Sequence, residues 1–187
     1  FDEHVVFRKK RHYNVLYIYE KRNIRFYLNT NTGEFDVRRG NLNKDSKLVY
    51  VLTGDGELQE GQNWEAIMYA SAKKVDNLIA TVDLNGKQID GTTDEVLSMG
   101  SLRAKFEAFD WDVLEIKEGN NIEAIIAGMN DAKSRTGKGK PVCVLLHTEM
   151  GNGIDFMMHT HAWHGKAPND EQLANALSQN PETLGDY

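Results

Sequence analysis

The run Val49-Tyr50-Val51-Leu52-Thr53 ends abruptly in Gly54-Asp55-Gly56, and Leu78-Ile79-Ala80-Thr81-Val82-Asp83-Leu84 ends the same way in Asn85-Gly86. Continuous apolar runs of this length read as strands buried on both faces, the pattern of a parallel sheet covered by helices. Parallel neighbours cannot be joined by a tight hairpin, and the 30 positions from Asp55 to Asn85 leave room for one crossover helix. Both oxygen-bearing side chains then emerge at the carboxyl ends of strands, where open α/β sheets bind ligands.

The alternation continues downstream. Strands are predicted at about 48–53, 77–83, 111–116 and 141–147, with helical patterns between them. Trp64, Ile67, Met68 and Ala72 form one apolar stripe, Leu102, Phe106 and Phe109 a second, and Ile122, Ile125, Ile126 and Met129 a third; all three are assigned to the core. Asn121 is a predicted helix N-cap, Thr136–Pro141 closes that helix, and Glu171–Leu177 reads as a short helix before an irregular tail with Pro181 and Gly185. The predicted fold class is α/β, an open and mostly parallel sheet with helices on both faces.

Residues 1–47 differ in kind. They carry 11 Lys/Arg against 6 Asp/Glu, a net +5, whereas residues 48–187 carry 11 against 22, a net −11. Short alternations at Asn14–Tyr19 and Ile24–Leu28, then Asn29-Thr30-Asn31-Thr32-Gly33 before Glu34–Val37, predict a small β-hairpin arrangement. The chain is therefore divided into a basic, β-rich arm, 1–47, and a domain, 48–187. A basic arm with interleaved tyrosines can bind nucleic acid or an acidic partner, but a solvated charged face is the commoner meaning of such a run, and nucleic acid is not the expected partner.

Bulk composition narrows the classes. At 187 residues and 40% apolar content the chain is long enough to bury a core, and three prolines leave little room for a long linker. No apolar run approaches bilayer-spanning length, so no membrane association is expected. The single cysteine, Cys143, lies in the apolar run 141–146, which excludes a disulfide framework and a cysteine zinc site and points to a packed thiol in a reducing, cytoplasmic setting.

In Gly54-Asp55-Gly56 the glycines allow a tight turn and close approach of backbone N–H groups to a phosphate. Mg²⁺ takes one or two protein oxygens together with phosphate oxygens and water, so one Asp and one Asn suit it, with Ca²⁺ or Mn²⁺ as substitutes. Glu60 and Glu65 open the following helix, where the helix dipole stabilises acids. His159, His161 and His164 lie in a loop without a cysteine or a convincing carboxylate partner, which argues for a solvated polar loop over a zinc cluster. His147, at a strand end, reads as a hydrogen-bonded structural residue.

Taken together, Gly54-Asp55-Gly56-Glu57-Leu58-Gln59-Glu60-Gly61, Asn85-Gly86, Ile89-Asp90-Gly91 and Trp163-His164-Gly165-Lys166-Ala167-Pro168 resemble the thiamine diphosphate-dependent transketolases, and within them the amino-terminal subunit of a split enzyme. The likeness runs from about Leu42 to Tyr187; the helices, channel histidines and Gly-Gln-Gly segment of a transketolase amino-terminal region are not found upstream. The resemblance implies that Asp55, Asn85 and the backbone carbonyl of Lys87 hold Mg²⁺, although Lys87 replaces the usual apolar residue. It implies that Gly54, Gly56, Ile89 and His164 contact the cofactor, that His164 steadies negative charge on substrate oxygen, and that Glu60 and Glu65 join a carboxylate network crossing to the partner's catalytic Glu.

The implied reaction is transfer of a two-carbon ketol unit between sugar phosphates, in a homo- or hetero-oligomer with a transketolase carboxy-terminal subunit that supplies the pyrimidine-binding domain. Two other readings stand beside it. A 1-deoxyxylulose-5-phosphate synthase shares the Gly-Asp-Gly and Asn arrangement, though Trp163–Pro168 favours transketolase. A truncated, non-catalytic interaction module would also fit a chain whose upstream region is unlike the family.

Overall fold

The structure, a computed structural model, describes residues 48–180 and, ahead of them, two short strands, β1 (Leu28–Asn29) and β2 (Glu34–Phe35), paired antiparallel. That pair falls within the expected β-hairpin arrangement. The Asn14–Tyr19 alternation and the tail with Pro181 and Gly185 lie outside the described residues.

From Leu48 the chain alternates strand and helix. β3 (Val49–Gly54) leads through a 3-10 turn at Gly56–Gln59 into α1 (Gly61–Ala72), followed by β4 (Leu78–Leu84). Two short strands, β5 (Lys87–Gln88) and β6 (Gly91–Thr92), form an antiparallel pair beyond β4. Then come α2 (Thr93–Leu97), α3 (Leu102–Ala108), β7 (Asp112–Ile116), α4 (Ile122–Arg135), β8 (Val142–His147) and α5 (Asp170–Gln179). The main sheet is parallel throughout, in the order β3-β4-β8-β7. The predicted fold class and all four main strands are observed.

Alternation along these strands feeds two cores, one on each face of the sheet. Val49, Leu78, Val82, Val113, Cys143 and Leu145 pack with Ile67 and Ala70 of α1 and with Leu102 and Phe106 of α3. Trp111 closes this layer, its ring edge-on to Phe106 and its Nε1 donating to the carbonyl of Ile67 at 3.0 Å. On the opposite face Ile79, Ile116, Val142 and Val144 meet Ala132 of α4. Cys143 is a free, buried thiol, as expected, and burial pushes its pKa up.

Helix boundaries follow local chemistry. Asn121 caps α4 by accepting from the N–H of Ala124 at 2.9 Å, as predicted. Reciprocal capping boxes start α2 (Thr92 with Glu95) and α5 (Asn169 with Gln172), so the last helix begins at Asp170.

Two apolar stripes are corrected. On α1 the inward line runs through Trp64, Ile67 and Ala70, so Met68 and Ala72, which lie off that line, are exposed. On α4 the contact is made by the small-residue edge: a Cβ at Gly128 would lie 2.3 Å from Ile116 Cδ1. That close seating turns Ile122 and Ile126 outward, at 59% and 55% exposure.

Candidate functional site

Asp55 is the one buried charged side chain among the described residues, at 1% exposure. It caps the 3-10 turn, with Oδ1 accepting from the N–H of Gly56 at 2.8 Å and Oδ2 from the N–H of Gly86 at 2.6 Å. Burial raises its pKa, the two backbone donors act against that rise, and the nearby Asp83 carboxylate adds to it. Neither Asp55 nor Asp83 has an ion-pair partner among the described residues.

β4 delivers the second half of the site. Gly54 pairs with Asp83 in the β3–β4 register, so the two strands end side by side, and the Asp55–Gly86 hydrogen bond fastens one turn to the other. Gly86, at φ 71°, takes a left-handed conformation that favours glycine and turns its N–H toward Asp55. Asn85 Oδ1 accepts from the N–H of Lys87 at 2.8 Å while its Nδ2 donates to Asp83 at 3.2 Å. Thr148 Oγ1 donates to the other oxygen of Asp83. Gly54, Asp55, Gly56, Asn85, Gly86 and Lys87 thus form one continuous structure. Ile89, at the tip of the β5–β6 turn, projects into solvent at 68% exposure.

Lys87 adds a connection that its sequence context did not announce. Its Nζ meets Glu149 Oε1 at 3.0 Å, and the same oxygen accepts from the N–H of His159 at 2.7 Å. The His159 N–H, then the Lys87 ammonium, hold the Glu149 carboxyl below its ordinary range. The turn after β4 is therefore tied to the loop after β8.

That loop carries His164, whose imidazole is exposed and makes no hydrogen bond among the described residues. Trp163 anchors its neighbourhood, donating from Nε1 to the carbonyl of Phe156 at 2.8 Å and lying edge-on to the Phe156 ring. The structure therefore does not join His164 to Asp55 or Asn85 by a direct hydrogen bond. Among the described residues no three His, Cys, Asp or Glu side chains form a group that could hold a metal ion. Glu60 and Glu65 are both exposed, Glu60 preceding α1 and accepting from Gln62, and Glu65 on the helix itself.

At the other edge of the sheet lies a second charged cluster. Glu115 receives Arg103 Nε at 2.6 Å and Lys117 Nζ, with His147 Nε2 at 3.3 Å. Lys117, then Arg103, pull its pKa down to about 2. His147 is accordingly a hydrogen-bonded network residue, as its sequence position suggested.

Residues 30–182 match the family described as "Transketolase, thiamine diphosphate binding domain". The chain belongs to the transketolase family. It is 40% identical over 143 residues to an apulose-4-phosphate transketolase subunit of Phocaeicola vulgatus, covering 76% of this chain and 50% of that protein. It is 34% identical over 136 residues to human transketolase, covering 73% of this chain and 21% of that one. Among solved structures, Campylobacter jejuni transketolase superposes with a TM-score of 0.63 at 31% identity over 71% of this chain and 20% of its own. The matched region thus spans half the length of the Phocaeicola relative and about a fifth of the full transketolases. The family match begins within the 1–47 arm.

Proposed function

We propose that this chain supplies the diphosphate- and metal-binding half of a transketolase, acting in the cytoplasm on sugar phosphates together with a carboxy-terminal subunit. The observation that carries this reading is Asp55: a buried carboxylate, oriented by two backbone N–H groups, beside a second carboxylate, with no basic side chain paired to either among the described residues. Such an arrangement is electrostatically incomplete until a cation joins it.

The residues fit Mg²⁺, or Ca²⁺ or Mn²⁺ in its place. Each Asp55 oxygen accepts one hydrogen bond and Asn85 Oδ1 accepts one, which leaves each a lone pair for a hard cation. The Lys87 carbonyl is the third protein ligand in this reading. Gly54 and Gly56 let the diphosphate approach the backbone, and Ile89 offers an exposed apolar contact.

When bound, thiamine diphosphate supplies an electron sink for cleaving and remaking the bond to a two-carbon ketol unit. The chain's own residues hold the diphosphate through the metal, and His164 donates a hydrogen bond to developing negative charge on substrate oxygen. Glu60 and Glu65 face outward to continue a carboxylate network into the partner. Support for that partner is that the Phocaeicola relative is named as a subunit. We further propose that the domain proper starts at Leu48, with residues 1–47 as a separate arm, since among the described residues β1 and β2 pair only with each other.

Light scattering on the chain mixed with a transketolase carboxy-terminal subunit tests the assembly. A complex larger than either component is expected. An unchanged mass for both would contradict the two-subunit reading.

A further inference from the structure

Gln88, the second residue of β5, lies directly beside the Gly-Asp-Gly turn. A Cβ built on Gly56 would sit 3.1 Å from Gln88 Oε1 and 3.4 Å from Gln88 Cβ, so the carboxamide lies against the second glycine of the motif. Its Oε1 is buried and accepts no hydrogen bond among the described residues. Buried carbonyl oxygens are nearly always satisfied, and an orphan of this kind needs its own explanation.

Three backbone donors at the two turns are already committed. The N–H of Gly56 goes to Asp55 Oδ1 and that of Gly86 to Asp55 Oδ2, while the N–H of Gly54 goes to Glu57 Oε2 at 2.7 Å. None of these three N–H groups donates to Gln88, and a bound group can supply the missing donor. Phosphate oxygens accept rather than donate. A water on a divalent cation is a strong donor, because the metal draws electron density from its O–H bonds, and Mg²⁺ usually keeps several waters.

We propose that Gln88 is a positioning residue for the cation, its side-chain carbonyl accepting a hydrogen bond from a metal-bound water. This rests on the metal site at Asp55 and Asn85 proposed above. Acceptors that orient such ligands typically change metal affinity about 10–100-fold when removed. The orphan oxygen is then one half of a hydrogen bond that forms only when the cation arrives.

The test is Mn²⁺ titration, followed by electron paramagnetic resonance, of the full chain assembled with its partner subunit in saturating thiamine diphosphate. Gln88→Met, which keeps length without the carbonyl, should weaken Mn²⁺ binding about 10–100-fold, with the metal-free melting temperature unchanged or raised. Gln88→Glu, which keeps an acceptor, should bind Mn²⁺ within a few-fold of wild type or more tightly. Wild-type affinity in Gln88→Met would overturn the proposal, as would Gln88→Glu losing affinity as Gln88→Met does, which would mark the carboxamide as a donor to phosphate. Asp55→Ala runs alongside. If it loses Mn²⁺ and Gln88→Met does not, only the role of Gln88 falls; if Asp55→Ala binds normally, the metal site itself falls.

Discussion

Asp55 and Glu115 are acids from opposite edges of the same four-stranded sheet, Asp55 just after β3 and Glu115 within β7, and they stand in opposite electrostatic circumstances. Glu115 is surrounded by Arg103, Lys117 and His147, and its pKa is driven down to about 2. Asp55 is more deeply buried, has only backbone donors and a neighbouring carboxylate, and its pKa is raised. The β7 edge is complete in itself. The β3 edge holds a charge that the described residues do not neutralise, which is how a site differs from a structural ion pair. The two histidines repeat the contrast: His147 is engaged in the Glu115 cluster, and the His164 imidazole has no hydrogen bond among the described residues.

If the contrast is right, the free groups serve chemistry and the paired ones serve the fold. The largest effect falls on His164. Loss of one donor to a developing oxyanion costs about 10²–10³ in turnover, so His164→Ala in the assembled enzyme should lose activity on that order with its melting temperature unchanged. His147→Ala should do the reverse, losing stability and keeping turnover. Equal loss of activity in both variants would break the comparison.

Glu115 sharpens it from the other side. Its folded pKa of about 2 lies below the ordinary value of 4.5, so the ionised form is stabilised by folding. That contribution is fully present above pH 4.5 and is lost as pH falls toward 2. Glu115→Gln should therefore destabilise the neutral protein by about 1 kcal/mol, given how modest partly exposed ion pairs are. The difference in denaturation midpoint should close on acidification, and thiamine diphosphate affinity should not change. A deficit persisting at a pH of about 2 would show that Glu115 acts by packing instead of charge.

Much of this is legible in the sequence. Apolar runs next to glycine, proline or asparagine mark β3, β4 and β8, and the two central strands β4 and β8 are the more fully buried. The edge strands differ, since β3 leaves Tyr50 and Leu52 exposed and β7 alternates as Asp112-Val113-Leu114-Glu115-Ile116. Gly54-Asp55-Gly56 and Asn85-Gly86 mark the proposed site because small residues at strand ends let backbone approach a ligand. Helix sidedness is less legible. Met68, Ile122 and Ile126 fit helical spacing as well as their buried neighbours do, and on α4 only the close seating of Gly128 on Ile116 decides which edge faces the sheet. Asp83, Glu149 and Gln88 are hidden for another reason. Their roles arise from contacts made across the fold, such as Thr148 to Asp83 and Lys87 to Glu149, which no local pattern encodes.

The central claim is that Asp55 exists to bind a cation that in turn holds a diphosphate. Two phosphates brought near an unneutralised carboxylate repel it, so tight cofactor binding should require metal in the wild type, and most of the metal's benefit should vanish without Asp55. Calorimetric titration of thiamine diphosphate into the assembled protein, with and without Mg²⁺, measures this directly. The account predicts that Mg²⁺ tightens wild-type binding by at least about 10²-fold, above what removal of an outer-shell partner costs, and tightens Asp55→Ala far less. Equal affinities for both proteins, with and without Mg²⁺, would contradict it.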